Sequence, residues 1–200
     1  MLTVSEQIVE SICEKMAELS EEQFPRLVET MQKEQPEIMA FLMAAGFDDF
    51  NQAERELQFY LGTMVWQIMR SGTTPPPRVS EKRLDRLIER TEKMAEFLMG
   101  ESDVDFENSA IRIFDDHNQV HVLRYVVEAL FEDEEEMEKE MEHLEMEKTS
   151  QEAGLEFDTE DWEDDEMLES FEEDDDAPVR PLMKGMIFLN LKTVIEALDQ

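Results

Sequence analysis

Along the first seventy positions, apolar residues recur every three or four places. Val4, Ile8, Ile12, Met16 and Leu19 form one stripe, with Val9 and Cys13 beside it, and this spacing predicts a helix over Thr3–Leu19. Thr3 and Glu6 have the spacing of a capping box at its start. Ser20 and Gln23 offer another ahead of a second helix near Glu21–Lys33, where Pro25 is tolerated because it falls in the first turn. Pro36 opens a third helix, Glu37–Ala45, and Gly46 is placed to end it. Asn51 with Glu54 is a further N-cap signature, and the helix that follows runs to about Arg70. Leu57, Leu61, Met64, Val65 and Ile68 share one of its faces.

The stretch SGTTPPPRV, Ser71–Val79, breaks this pattern. Its prolines cannot continue a helix and favour an extended linker; a P-x-x-P ligand spacing is absent. Ser80 then caps a helix bearing Leu84, Leu87, Ile88, Met94 and Leu98 and closed by Gly100. Two more helices are predicted over Asn108–Phe114 and Gln119–Phe131, separated by the polar turn DDHN. The alternative is a hairpin of AIRIF with VHVLRYV, because short β-branched runs fit either state. Glu134–Lys148 reads as a helical extension with a thin apolar stripe of Met137, Met141 and Leu144.

Two stretches of the chain repeat. Glu14–Leu19 reads EKMAEL and Glu92–Phe97 reads EKMAEF; Val4-Ser5-Glu6 returns as Val79-Ser80-Glu81. Further on, QPEIMAFLMAAGFDD (Gln35–Asp49) matches QVHVLRYVVEALFED (Gln119–Asp133) at a constant offset of 84, with Ile38, Met39, Phe41, Leu42, Ala45 and Phe47 meeting Val122, Leu123, Tyr125, Val126, Ala129 and Phe131. This order predicts two divergent copies of a three-helix unit, Leu2–Asp49 and Val79–Asp133, which bury their apolar faces on each other. The two differ in what comes next: an apolar helix after the first, a Glu-rich stretch after the second.

Charge changes the picture. The chain has 52 acidic and 18 basic residues, a net −34. Glu132–Asp176 alone carries −23, with 25 acids against Lys139 and Lys148, leaving −11 for the rest. Nucleic acid is an unsuitable direct partner, because phosphates select Lys and Arg clusters. Anionic membrane surfaces are disfavoured for the same reason, and no run approaches the length of a spanning helix. One cysteine, Cys13, excludes an internal disulfide and fits a reducing compartment. The early acids of MLTVSEQIVESICEK are unlike a secretory signal. The expectation is a soluble, intracellular, cytoplasmic protein.

Within the acidic segment, Leu155, Phe157, Trp162, Met167, Leu168 and Phe171 punctuate dense carboxylates. Self-repulsion keeps such a segment solvated and largely disordered, so its aromatics stay available as anchors for a basic surface with an apolar groove. The competing reading is a spacer that only raises solubility. Beyond it, Met186–Leu191 is a short apolar run, strand or helix start, and Leu191–Leu198 reads as a helix. This segment is too hydrophobic to float and is expected to dock back on the body.

Catalytic chemistry finds little support. Cys13 lies on an apolar stripe, which makes it packing rather than nucleophile. With six glycines in all there is no phosphate-binding loop and no G-x-S-x-G elbow, and nothing calls for a cofactor. Trp66 and most of the fifteen methionines follow helical spacing and are expected in the core. The one alternative is a metal site: Asp116, His117 and His121, completed by His143 from Glu140-x-x-His143. Its motif lacks the Glu of H-E-x-x-H and a second E-x-x-H pair. In the repeat alignment the two histidines correspond to Lys33 and Glu37.

The resulting expectation is an all-α fold: two divergent copies of a three-helix unit in one helical body, with an acidic, largely disordered insertion and a docked C-terminal segment. The divisions are 1–70 (first unit and following helix), 71–79 (Pro-rich linker), 80–148 (second unit and acidic extension), 149–178 (acidic loop) and 179–200 (docking segment). The expected function is a non-catalytic protein–protein interaction module (adaptor, regulator or chaperone-like). It would bind a basic protein surface through Phe157, Trp162 and Phe171. The alternative is a helical metal-binding protein or enzyme using His117 and His121.

Overall fold

The computed structural model describes residues 2–20, 22–99, 117–131 and 178–200. The expected helices Asn108–Phe114 and Glu134–Lys148 therefore lie outside the described residues, as do Asp116, His143, Phe157, Trp162 and Phe171. Among the described residues there are seven helices and no strand. They are α1 (Glu6–Ala17), α2 (Gln23–Glu34), α3 (Pro36–Ala44), α4 (Gln52–Arg70), α5 (Glu81–Met99), α6 (120–131) and α7 (Pro181–Leu198).

Local chemistry sets several ends. Asn51 and Glu54 form a complete capping box, with Glu54 N donating to Asn51 Oδ1 and Asn51 N donating to Glu54 Oε2, both at 2.9 Å. At α1 the outcome differs from the expected Thr3–Glu6 box: Ser5 is the N-cap, without a side-chain cap bond, and Thr3 Oγ1 reaches Asn118 Oδ1 instead. Ahead of α2 only half a box forms, Ser20 N donating to Gln23 Oε1 at 2.8 Å. Gly46 follows α3 with φ of 78°, a left-handed conformation that favours glycine. A β-carbon there would also strike the ring of Phe50.

α4 and α7 form the centre. From Leu61 to Met69 every residue of α4 except Gln67 is buried, and α7 is buried almost continuously from Leu191 to Leu198. Helices covered on all sides belong inside a bundle. α4 packs chiefly against α7; α1, α2 and α3 also touch α4, and α5 packs on α7 as α1 packs on α4. One apolar core unites all seven helices, with Trp66, Ile68, Leu123, Ile187, Leu191 and Ile195 wholly enclosed. Gly62 lets α3 approach α4 closely: its missing β-carbon would sit 2.5 Å from Leu42.

Two expectations change here. The short apolar run Met186–Leu191, left open as strand or helix start, is part of one continuous helix from Pro181. Residues 120–131 are helical, which removes the hairpin alternative: Val122, Leu123, Val126 and Leu130 are all buried in the core, at the spacing of one helix face.

The duplicated three-helix unit is not established by the described residues, because the middle helix of its second copy falls within 100–116. The two aligned glutamines nevertheless make matching bonds. Gln35 Oε1 accepts from Val79 N at 2.9 Å, and its Nε2 donates to Pro77 O at 3.1 Å. Gln119 Oε1 accepts from Val4 N at 2.9 Å, and its Nε2 donates to Leu2 O at 3.2 Å. Gln35 thus holds the entrance to α5 and Gln119 the entrance to α1, and both are buried.

Candidate functional site

The end of α3 and the turn to α4 carry exposed apolar side chains, although Phe50 of the same turn is buried. Met43 is 66% exposed and Phe47 69% exposed. They rim a groove of about 470 Å³ between α2, α3 and α4, floored by Val28, Met39, Leu42 and Phe59 and edged by Arg55 and Glu56. Arg55 is held along the turn by donating to the Phe50 carbonyl. Phe131, which aligns with Phe47, is treated differently: it is half-buried under the ammonium of Lys184, 5.8 Å above its ring.

The other side of the same turn borders a second cavity, about 390 Å³, between the turn, α5 and α7. Phe41, Phe50, Ile88, Met183, Met186 and Leu189 form its apolar wall. Leu182, 66% exposed, lies at its edge. The turn is therefore a ridge with an apolar depression on each flank.

An ion pair between buried Glu54 and half-exposed Arg180 fixes the foot of the ridge. Glu54, with no side-chain exposure, accepts from Arg180 Nη2 at 2.8 Å, from Arg180 Nε at 2.9 Å and from Arg180 N at 2.9 Å. Arg180 also donates to the Asp49 carbonyl, and Asn51 Nδ2 donates to Pro178 O at 3.3 Å. The hydrogen bonds from the Arg180 side chain outweigh desolvation and hold the Glu54 carboxyl down at about 2. The segment entering α7 is thus locked to the start of α4 next to the exposed turn.

The described members of the proposed metal site are separate from any such assembly. His117 precedes α6, and its Nδ1 accepts from Gln119 N at 3.1 Å. That bond leaves the ring proton on Nε2, so ligation through Nε2 would require giving it up. Burial lowers the His117 pKa, and its Nε2 and the Nδ1 of His121 are buried without partners. Among the described residues no three His, Cys, Asp or Glu side chains gather in a metal-binding arrangement. Cys13 is half-buried, and burial raises its pKa, the opposite of an activated thiol.

No family model, curated protein or solved structure matches this chain. Among the described residues, no helix is long and apolar enough to cross a membrane. Phe47 aligns with Phe131 as a shared apolar position, which hides the ridge in the sequence. The available signal was its setting: a phenylalanine between Gly46 and Asp48-Asp49 sits in a turn, where no helix face can bury it.

Proposed function

We propose that the chain is a non-catalytic interaction protein, an adaptor, regulator or chaperone-like factor, that binds a basic surface of another protein. Its acidic segment draws the partner in, Phe157, Trp162 and Phe171 serve as anchors, and the α3–α4 ridge offers apolar depressions for the partner's own side chains. One observation carries the reading. The acidic run ends at Asp176, two residues before Pro178, and Pro178 is bonded to Asn51 at the foot of the ridge. Long-range attraction is therefore tethered next to an exposed apolar surface, the combination that speeds encounter and then retains the partner.

The test is capture of partners at low and physiological salt. Attraction to a net −34 weakens as the screening length shortens to about 8 Å at physiological ionic strength. Partners recovered by the native chain should be reduced by Phe47→Ser and by Trp162→Ala, and reduced further by salt. An unchanged set of partners in both variants and at both salts would leave the acidic segment a spacer and refute the reading.

A further inference from the structure

The cavity between the turn, α5 and α7 has a chemical bias beyond being apolar, and this inference rests on the interaction reading above. Its wall is built from Phe41, Phe50, Ile88, Met183, Met186 and Leu189. Among the described residues its polar lining consists of Asp49, Glu92, Thr91, Asn190 and Thr193, with no Lys, Arg or His. Two of these are already satisfied: the Thr91 and Thr193 hydroxyls bond each other at 2.6 Å, and Thr193 Oγ1 donates to Leu189 O at 3.0 Å. Asn190 spends its Nδ2 on Gln58 Oε1 at 2.8 Å. The Gln58 amide nitrogen is itself committed to the carbonyls of Leu42 and Ala45, which fixes which end of Asn190 faces it. What remains for a visitor is chiefly acceptors: the exposed carboxylates of Asp49 and Glu92 and the Asn190 Oδ1, beside the second hydrogen of Asn190 Nδ2.

A pocket with an apolar wall and a rim led by two carboxylates is complementary to an aliphatic stem ending in a cationic multiple donor. A carboxylate or phosphate head would meet like charge at Asp49 and Glu92. Methionine walls adapt to a linear chain of varying path. We infer that this cavity receives a lysine side chain of the basic partner, its methylenes along Met183 and Met186 and its ammonium at the Asp49 and Glu92 rim. Lysine suits the site because its stem buries while its head stays at the water boundary.

The experiment uses the full chain with labelled methionine methyl groups and three probes of equal length: hexylammonium, hexanol and hexanoate. Hexylammonium should move the Met183 and Met186 methyl resonances saturably, and bind about fivefold more tightly than either other probe, the scale of one partly solvated charge contact. Glu92→Gln, an exposed substitution that leaves the core intact, should erase much of that preference while keeping the hexanol response. Equal affinity for the three probes would show an apolar-only pocket and overturn the inference, as would no saturable shift. Because the probes need no partner, this result is independent of whether Phe47→Ser alters partner capture, so either claim can fail alone.

Discussion

Gln35 and Gln119 hold the entrances of α5 and α1 by the same two bonds, each accepting a backbone N–H from a valine and donating to the carbonyl two residues before it. Both glutamines are buried, so truncation strands backbone groups away from water. Gln35→Ala and Gln119→Ala should each destabilise the fold by about 1–3 kcal/mol, read as a lower urea midpoint with unchanged slope. The two sites share no partner, so the double variant should lose the sum. A cost near zero for either would mean that water replaces the side chain there.

Glu54 gives stability a defined acid limb. Its folded pKa of about 2 lies below the ordinary 4.5, so its contribution is complete above pH 4.5 and is lost as pH falls toward 2. Arg180→Met should lower stability at pH 7, by less than the loss of a fully enclosed pair because Arg180 is half exposed. The same substitution should flatten the curve between pH 4.5 and 2. Asp199 adds to this limb in the native chain: burial pushes its carboxyl up, but bonds from Asn118 and Gln119 more than offset that and hold it low.

His117 acts at milder pH. Burial lowers its pKa below 6.5, so the unfolded chain takes up a proton first and stability declines as pH drops through the region of 6.5. His117→Asn keeps an acceptor for Gln119 N and has no titration there. Thermal melts between pH 8 and 5 should therefore be flatter for the variant.

Gly46→Ala forces an L side chain into φ of 78° and against Phe50. A loss of about 1–3 kcal/mol is expected, with the ridge disordered before the rest, visible as faster amide exchange over residues 44–50. Gly185, whose added β-carbon meets nothing within 4 Å, should gain helix stability on changing to Ala, by up to about 1 kcal/mol.

Helical periodicity made most of the described helices legible, because burial of one face leaves a 3.6-residue signature. The Asn51–Glu54 box was readable since both partners are local. Arg180 was not: its partner Glu54 lies 126 residues away, and no local pattern marks a carboxylate for burial. The continuous helix Pro181–Leu198 was obscured because its largely apolar sequence has too few polar positions to set a period. The anchors proposed in the acidic segment, and half the proposed metal ligands, lie outside the described residues.

The pairing of α4 with α7 also sets an order of events. Asn190 meets Gln58 across 132 residues of chain and Arg180 meets Glu54 across 126, so the closest helix partnership in the core is also among its most distant in sequence. Contacts of that span make folding slow for a helical protein. During synthesis, at about 5–20 residues per second, roughly ten seconds pass between the emergence of α4 and that of its partner. Throughout that interval Trp66, Ile68 and Met69 lack the helix that covers them most, although α1 to α3, and later α5 and α6, are already made.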